Sequence, residues 1–158
     1  MKSLKGKIHV SDYMRKSVVT LHADSTVREA IKVMIRERTN GVVVLDNKKK
    51  VIGILSSWDI IKHIMPDYLE EDKHLAAFES ADVFEQRIKA VKEDPISKFM
   101  TERVVTAKQE STLMEATALL SQHKIRQLPI VDKNGKLVGY INRTDIKLAI
   151  GEVLKDNP

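Results

Sequence analysis

An internal repeat constrains this chain more than any other feature. Slid by 86 positions, Val10-Ser11-Asp12-Tyr13-Met14 falls on Ile96-Ser97-Lys98-Phe99-Met100, and Val18-Val19-Thr20 falls on Val104-Val105-Thr106. In the same register Ser25-Thr26 meets Ser111-Thr112, and Glu29-Ala30 meets Glu115-Ala116. Asp46 meets Asp132, Gly53 meets Gly139, and Asp59-Ile60 meets Asp145-Ile146. No gap is needed from Val10 to Ile64. Agreement at one fixed offset over such a length marks two copies of one structural unit.

Each copy carries the same order of signals. A short β segment comes first, at Val18 to Leu21 and at Val104 to Ala107. A helix start follows: Thr26 with Glu29, and Thr112 with Glu115, have the spacing of a capping box. Val27, Ala30, Ile31 and Met34 then form one apolar helix face, as do Leu113, Ala116 and Leu120. The runs Val42 to Leu45 and Leu128 to Val131 read as buried strands. Polar turns follow at Asp46 to Lys50 and Asp132 to Lys136. Within the second, Asn134-Gly135 favours a hairpin because both residues adopt positive φ readily. A third strand at Val51 to Leu55 or Leu137 to Ile141 leads into a helix near Asp59 or Asp145. The unit is β-α-β-β-α.

A unit of about 55 residues is too small to cover both faces of its own sheet. Two copies stacked sheet to sheet with pseudo-twofold symmetry would bury them, with a cleft on each side. The expected class is therefore α/β (α+β), with copies at 8–65 and 96–152 and a helical linker at 66–95. In the linker Pro66 stops the preceding helix. Ala81, Phe84, Ile88 and Val91 define an amphipathic helix running to Asp94-Pro95. It would cover the chain's own surface or serve a dimer contact.

Composition narrows the function classes. Hydrophobic residues are 42% of the 158 and charged residues 31%, as in water-soluble domains. No apolar run approaches the length of a bilayer span, and the basic stretch Met1 to Val10 lacks the apolar core of a secretion signal. Cysteine is absent, which removes disulfides, thiol nucleophiles and zinc–thiolate sites. A cytoplasmic location is expected. The net charge of +5 favours anionic partners, but aromatic content of 4% offers no stacking platform for nucleic acid. Lys48-Lys49-Lys50 reads as a solvated turn, and Glu70-Glu71-Asp72 as a solvated run. His9, His22, His63, His74 and His123 form no metal-binding spacing. No glycine-rich phosphate loop of the Gly-x-x-x-x-Gly-Lys type appears, and no paired carboxylates can be placed in an apolar pocket. No catalytic residue and no metal site is expected, and the chain does not read as an enzyme.

Two segments carry a family resemblance: Gly53-Ile54-Leu55-Ser56-Ser57-Trp58-Asp59 and Gly139-Tyr140-Ile141-Asn142-Arg143-Thr144-Asp145. Both follow a pattern of glycine, two apolar residues, Ser or Thr, two variable residues and Asp, with Asn142 departing from it. With Lys124 to Asp132 as a further signature, the chain resembles a pair of CBS domains, the regulatory module first described in cystathionine β-synthase. The resemblance covers Val10 to Ile150. It implies a sensing module that binds an adenosine-containing nucleotide (AMP, ADP, ATP, NAD or S-adenosylmethionine) in a cleft between the repeats. It also implies a homodimer acting on an unknown protein partner.

The motif suits such a ligand chemically. Glycine permits close approach to a neighbour or ligand. The Ser56 hydroxyl and the free N–H groups of the following helix turn can hold a phosphate, and the Asp59 carboxylate can accept from both ribose hydroxyls. In the family the adenine lies against residues such as Val18-Val19-Thr20. This gives one candidate site of Val18, Val19, Thr20, Ser56, Ser57 and Asp59. A second has Val105, Thr106, Asn142, Arg143 and Asp145, with Arg126 and Gln127 nearby. Asn40 and Gly41, which align with Arg126 and Gln127, are uncharged, so two identical polyphosphate sites are not expected. A single phosphate or a cationic adenosyl group remains open. Ser56 and Asp59 are also good helix-capping residues without any ligand. The alternative function is a scaffold or nucleic-acid-binding protein with empty clefts.

Overall fold

The computed structural model describes residues 7–155. Residues 1–6, part of the basic stretch considered as a signal, lie outside the described residues. In chain order the structure has β1 (Thr20–His22), α1 (Val27–Glu37), β2 (Gly41–Leu45), β3 (Val51–Ser56) and α2 (Ser57–Ile64). The linker holds α3 (Asp67–Glu71), a 3-10 segment (Lys73–Phe78) and α4 (Ala81–Val91). Then come α5 (Leu113–Gln122), β4 (Gln127–Val131), β5 (Leu137–Asn142) and α6 (Arg143–Lys155). Short 3-10 turns at Val10–Asp12 and Ile96–Lys98 open the two copies. Among the described residues no helix is long and apolar enough to cross a membrane.

The expected capping boxes form. The Glu29 N–H donates to Thr26 Oγ1 at 3.3 Å while Glu29 Oε2 accepts the Thr26 N–H at 2.9 Å. Thr112 and Glu115 repeat the exchange at 3.1 and 2.6 Å. Such boxes satisfy two orphan donors of the first turn and fix where the helix begins. From there α1 buries Val27, Ala30 and Met34, and α5 buries Ala116 and Leu120. The turns repeat too. Asp46 Oδ1 accepts the N–H groups of Lys48 and Lys50, and Asp132 Oδ1 those of Asn134 and Lys136, all within 3.0 Å. The hairpin expected at Asn134-Gly135 forms between β4 and β5, with Gly135 taking positive φ, at 79°. Its counterpart Lys49 is forced to 63°.

One expected strand is missing. In the first copy β1 runs parallel to β2, with Thr20 opposite Val43, and the Val43 N–H donates to the Val19 carbonyl at 3.1 Å. The position aligned with Val43 is Pro129, which has no N–H to give. The segment Val104 to Ala107 accordingly shrinks to a single parallel bridge between Ala107 and Ile130. The first sheet has the order β1-β2-β3, whereas the second keeps only the antiparallel pair β4-β5.

Two compact units form, and each draws on both sequence copies. In the unit holding α5, β4, β5 and α6, Val10 is buried with Ala116, Leu128, Ile130 and Ile141. In the unit holding α1 to α4, Ile96 is buried with Val27, Val44, Leu55 and Ile60. Each lead-in segment thus completes the core of the other copy's sheet. Backbone pairs fix it there. Arg15 exchanges hydrogen bonds with Tyr140 at 2.8 and 2.9 Å, and Thr101 with Ile54 at 2.9 Å in both directions. A methionine follows each pair inward. A Cβ on Gly139 would stand 2.7 Å from Met14 Sδ, and one on Gly53 would stand 2.5 Å from Met100 Sδ. Of the two purposes weighed for the glycine, close approach of a neighbour is met by these methionines.

In the linker α4 packs along α2. Arg87 donates to the Ile64 and His63 carbonyls at 2.8 and 3.3 Å, closing the orphan acceptors at the end of α2. His63 stacks on Phe99 at 4.3 Å and meets Asp94 Oδ2 at 2.9 Å. The His63 hydrogen bond holds the Asp94 carboxyl below the usual carboxylate range. Covering α2 is therefore one task of this helix, and its Phe84 still stands 69% exposed. The sequence reading missed α3 and the Lys73–Phe78 segment.

Candidate functional site

Parallel pairing puts the starts of β1 and β2 at one end of the first sheet. The Ser57 N–H donates to the Asn40 carbonyl at 2.9 Å, which joins the start of α2 to the start of β2 at that same end. Val19, Thr20, Ser56, Ser57 and Asp59 are thereby brought to one edge. Val19 is half-buried and packs on the core, whereas Thr20 is exposed. Val18, half-buried, belongs to the other compact unit.

Ser56 is the N-cap of α2, and its chemistry is local. Its Oγ accepts the Asp59 N–H at 3.2 Å. Asp59 Oδ2 in turn accepts the Ser56 N–H at 2.8 Å and the Ser56 hydroxyl at 2.9 Å. The capping role weighed from sequence is thus realised in full. It uses one carboxylate oxygen only: among the described residues Asp59 Oδ1 has no hydrogen-bond partner. The Ser57 and Asp59 N–H groups are likewise taken, while the Trp58 N–H meets no partner among the described residues. A free carboxylate oxygen beside a free N–H of a helix's first turn can accept from a hydroxyl and donate to an anion.

The second copy repeats the box and closes it. Asn142 replaces serine as cap and keeps two of the three bonds: its Oδ1 accepts the Asp145 N–H at 3.1 Å and Asp145 Oδ2 accepts the Asn142 N–H at 2.9 Å, while the bond from the Ser56 hydroxyl has no counterpart among the described residues. Asp145 Oδ1, however, takes the Arg15 Nε–H at 2.8 Å. Both carboxylate oxygens are engaged, and Asp145 is only 3% exposed. Gln127 lies directly opposite Asn142 across β4 and β5, which places exposed Arg126 and exposed Arg143 at the same edge. Val105 and Thr106 are half-buried just before the Ala107 bridge. Burial raises the Tyr140 hydroxyl, against a hydrogen bond from Asn142 that lowers it.

Sequence reasoning missed Arg15. The signal lay in the repeat itself, where Arg15 aligns with Thr101. An apolar cavity of about 400 Å³, bounded by Ile61, Ile64, Met65, Leu69, Val83 and Phe84, contains none of the predicted site residues.

The CBS domain profile matches residues 10–66 and 96–152. Over 129 residues the chain is 35% identical to an inosine-5′-monophosphate dehydrogenase of Aquifex aeolicus, covering 81% of this chain but only 21% of that one. The chain thus spans about a fifth of that relative's length. Two solved structures share its fold. One is the CBS domain pair of protein MJ0100 in complex with 5′-methylthioadenosine and S-adenosyl-L-methionine, with TM-score 0.70, 24% identity, and 93% of this chain and 98% of that one covered. The other is CBSX2 in complex with AMP, with TM-score 0.71, 22% identity, and 92% and 98% covered.

Proposed function

Since this chain belongs to the CBS domain family, we propose that it is a regulatory module binding an adenosine-containing nucleotide and catalysing no reaction. The observation that carries this is the unshared oxygen of Asp59, set beside the start of α2 and next to Val19-Thr20. A ribose diol donates to that oxygen. A phosphate accepts from the Trp58 N–H, helped by the positive end of the helix. The adenine packs on the apolar side of Val19. The fold shared with proteins holding AMP or S-adenosylmethionine supports an adenosyl ligand of this class, among AMP, ADP, ATP, NAD and S-adenosylmethionine. Binding acts by favouring one conformation of the module over another. A homodimer in the cytoplasm, acting on a separate protein, is the setting that suits this reading.

A thermal-shift panel with these five compounds tests it. A ligand at about 100 times its Kd adds about 2.7 kcal/mol, which raises Tm by about 5–10 °C in a chain of this size. The Asp59→Ala variant should bind about 10- to 100-fold more weakly, because a carboxylate hydrogen bond is lost. No shift with any of the five, from well-folded protein freed of bound ligand, would sink the reading in favour of a scaffold with empty sites.

A further inference from the structure

The two copies differ at one side chain in a backbone setting that is otherwise the same. Arg15 and Thr101 occupy aligned positions, and each pairs through two backbone hydrogen bonds with the residue after the motif glycine, Tyr140 or Ile54. From this shared clip Thr101 presents a short neutral side chain, and no hydrogen bond or ion pair joins it to Asp59. Arg15 instead reaches Asp145, with Nε 2.8 Å from Oδ1. The Asp145 side chain is 4% exposed and that of Arg15 51%. The carboxylate is therefore sheltered, while the group that neutralises it stands half exposed at the surface.

We propose that Arg15 is a built-in competitor for nucleotide at the second copy, so that the chain takes its first nucleotide at Asp59 and keeps the Asp145 site closed. This rests on the reading of Asp59 and Asp145 as ribose-binding carboxylates. A ribose diol is a neutral donor, so its hydrogen bonds to the carboxylate lack the attraction between opposite charges that the guanidinium adds at 2.8 Å. It reaches Asp145 Oδ1 only by displacing Arg15, because the Asp145 side chain is 4% exposed and the guanidinium covers that oxygen. No such displacement is needed at Asp59. The inequality at Oδ1 comes from the lead-in segment and not from the motif, because in both copies the cap engages only the other carboxylate oxygen, Oδ2.

The experiment exchanges the two aligned residues and counts sites by isothermal titration with AMP as the probe. The parent chain should show one strong site, removed by Asp59→Ala, with the second at least tenfold weaker or undetected. Arg15→Thr should strengthen the second site about tenfold or more and leave the first unchanged. Thr101→Arg, a change at an exposed position, should weaken the first site by a similar factor. It keeps the test decisive if loss of Arg15 disturbs folding. Two equal sites in the parent, or an Arg15→Thr variant whose second site is unchanged or weaker, would overturn the competitor role while the nucleotide reading stands. If neither parent nor variants bind any adenosyl compound, the functional reading falls and takes this inference with it.

Discussion

The two halves of the repeat are a controlled comparison within one chain. Their capping boxes at α1 and α5, aspartate-centred turns and backbone clips agree bond for bond. They part where a single side chain alters what the backbone or a carboxylate can do. Pro129 removes a donor and a strand is lost, and Arg15 adds a donor and a carboxylate is closed. Backbone pairing tolerates sequence drift because most residues supply the same N–H and C=O groups. Recognition chemistry does not, because it rests on a few side-chain atoms with fixed donor and acceptor roles.

The comparison is sharpest at the aligned aspartates. Asp145→Ala should cost about 2–3 kcal/mol in urea unfolding, because it removes the cap partner and the carboxylate that Arg15 pairs with. Asp59→Ala should cost about 1 kcal/mol, the value of a cap alone. Equal losses would mean that the Arg15 bond adds nothing to the folded state. A smaller effect is expected at the turns. Lys49→Gly gives the first turn the residue of the second at a φ of 63°, and should stabilise by about 0.5–1 kcal/mol. A loss would show that Lys49 has a role its backbone does not reveal.

The smallest effect is in acid. Backbone hydrogen bonds from Lys50 and Lys136 lower the carboxyls of Asp46 and Asp132, and the hydrogen bond from His63 lowers that of Asp94. A carboxyl lowered by folding adds stability above its unfolded pKa of about 3.9, and that stability is lost as pH falls through the folded value. Melting temperature should therefore drop below about pH 4. The drop should be shallower in the double variant Asp46→Asn, Asp132→Asn. An unchanged slope would place the acid-sensitive groups elsewhere.

What the sequence disclosed follows the range of each interaction. Thr26 with Glu29, and Ser56 with Asp59, act over three residues, so spacing alone reveals them. The buried runs Val42–Leu45 and Leu128–Val131 were equally plain because burial on both faces leaves an unbroken apolar signature. The lost strand was legible in principle, since Pro129 stands where Val43 donates, but β propensity at Val104-Val105 outweighed it. The helix at Asp67–Glu71 is too short for periodicity to show. The bond from Arg15 to Asp145 spans 130 positions, and no local pattern marks it. Only the mismatch with Thr101 pointed there. Of the proposed nucleotide site, the sequence pointed to both carboxylates and not to which of them is unengaged.

The exchanged lead-in segments also order events during synthesis. Domains fold as they emerge from the ribosome, N-terminal parts first. The unit built from Val19–Leu45 and Ile52–Glu102 has all its residues once Glu102 is out. The other unit needs Val10, whose N–H is claimed by the Ser111 carbonyl, and Arg15, which waits for Tyr140. A segment made before the first of these units is thus placed after it, and contacts of such high sequence separation close slowly. A chain halted just after Glu102 would hold all the residues of one core, with the segment around Val10 and Arg15 still unpaired.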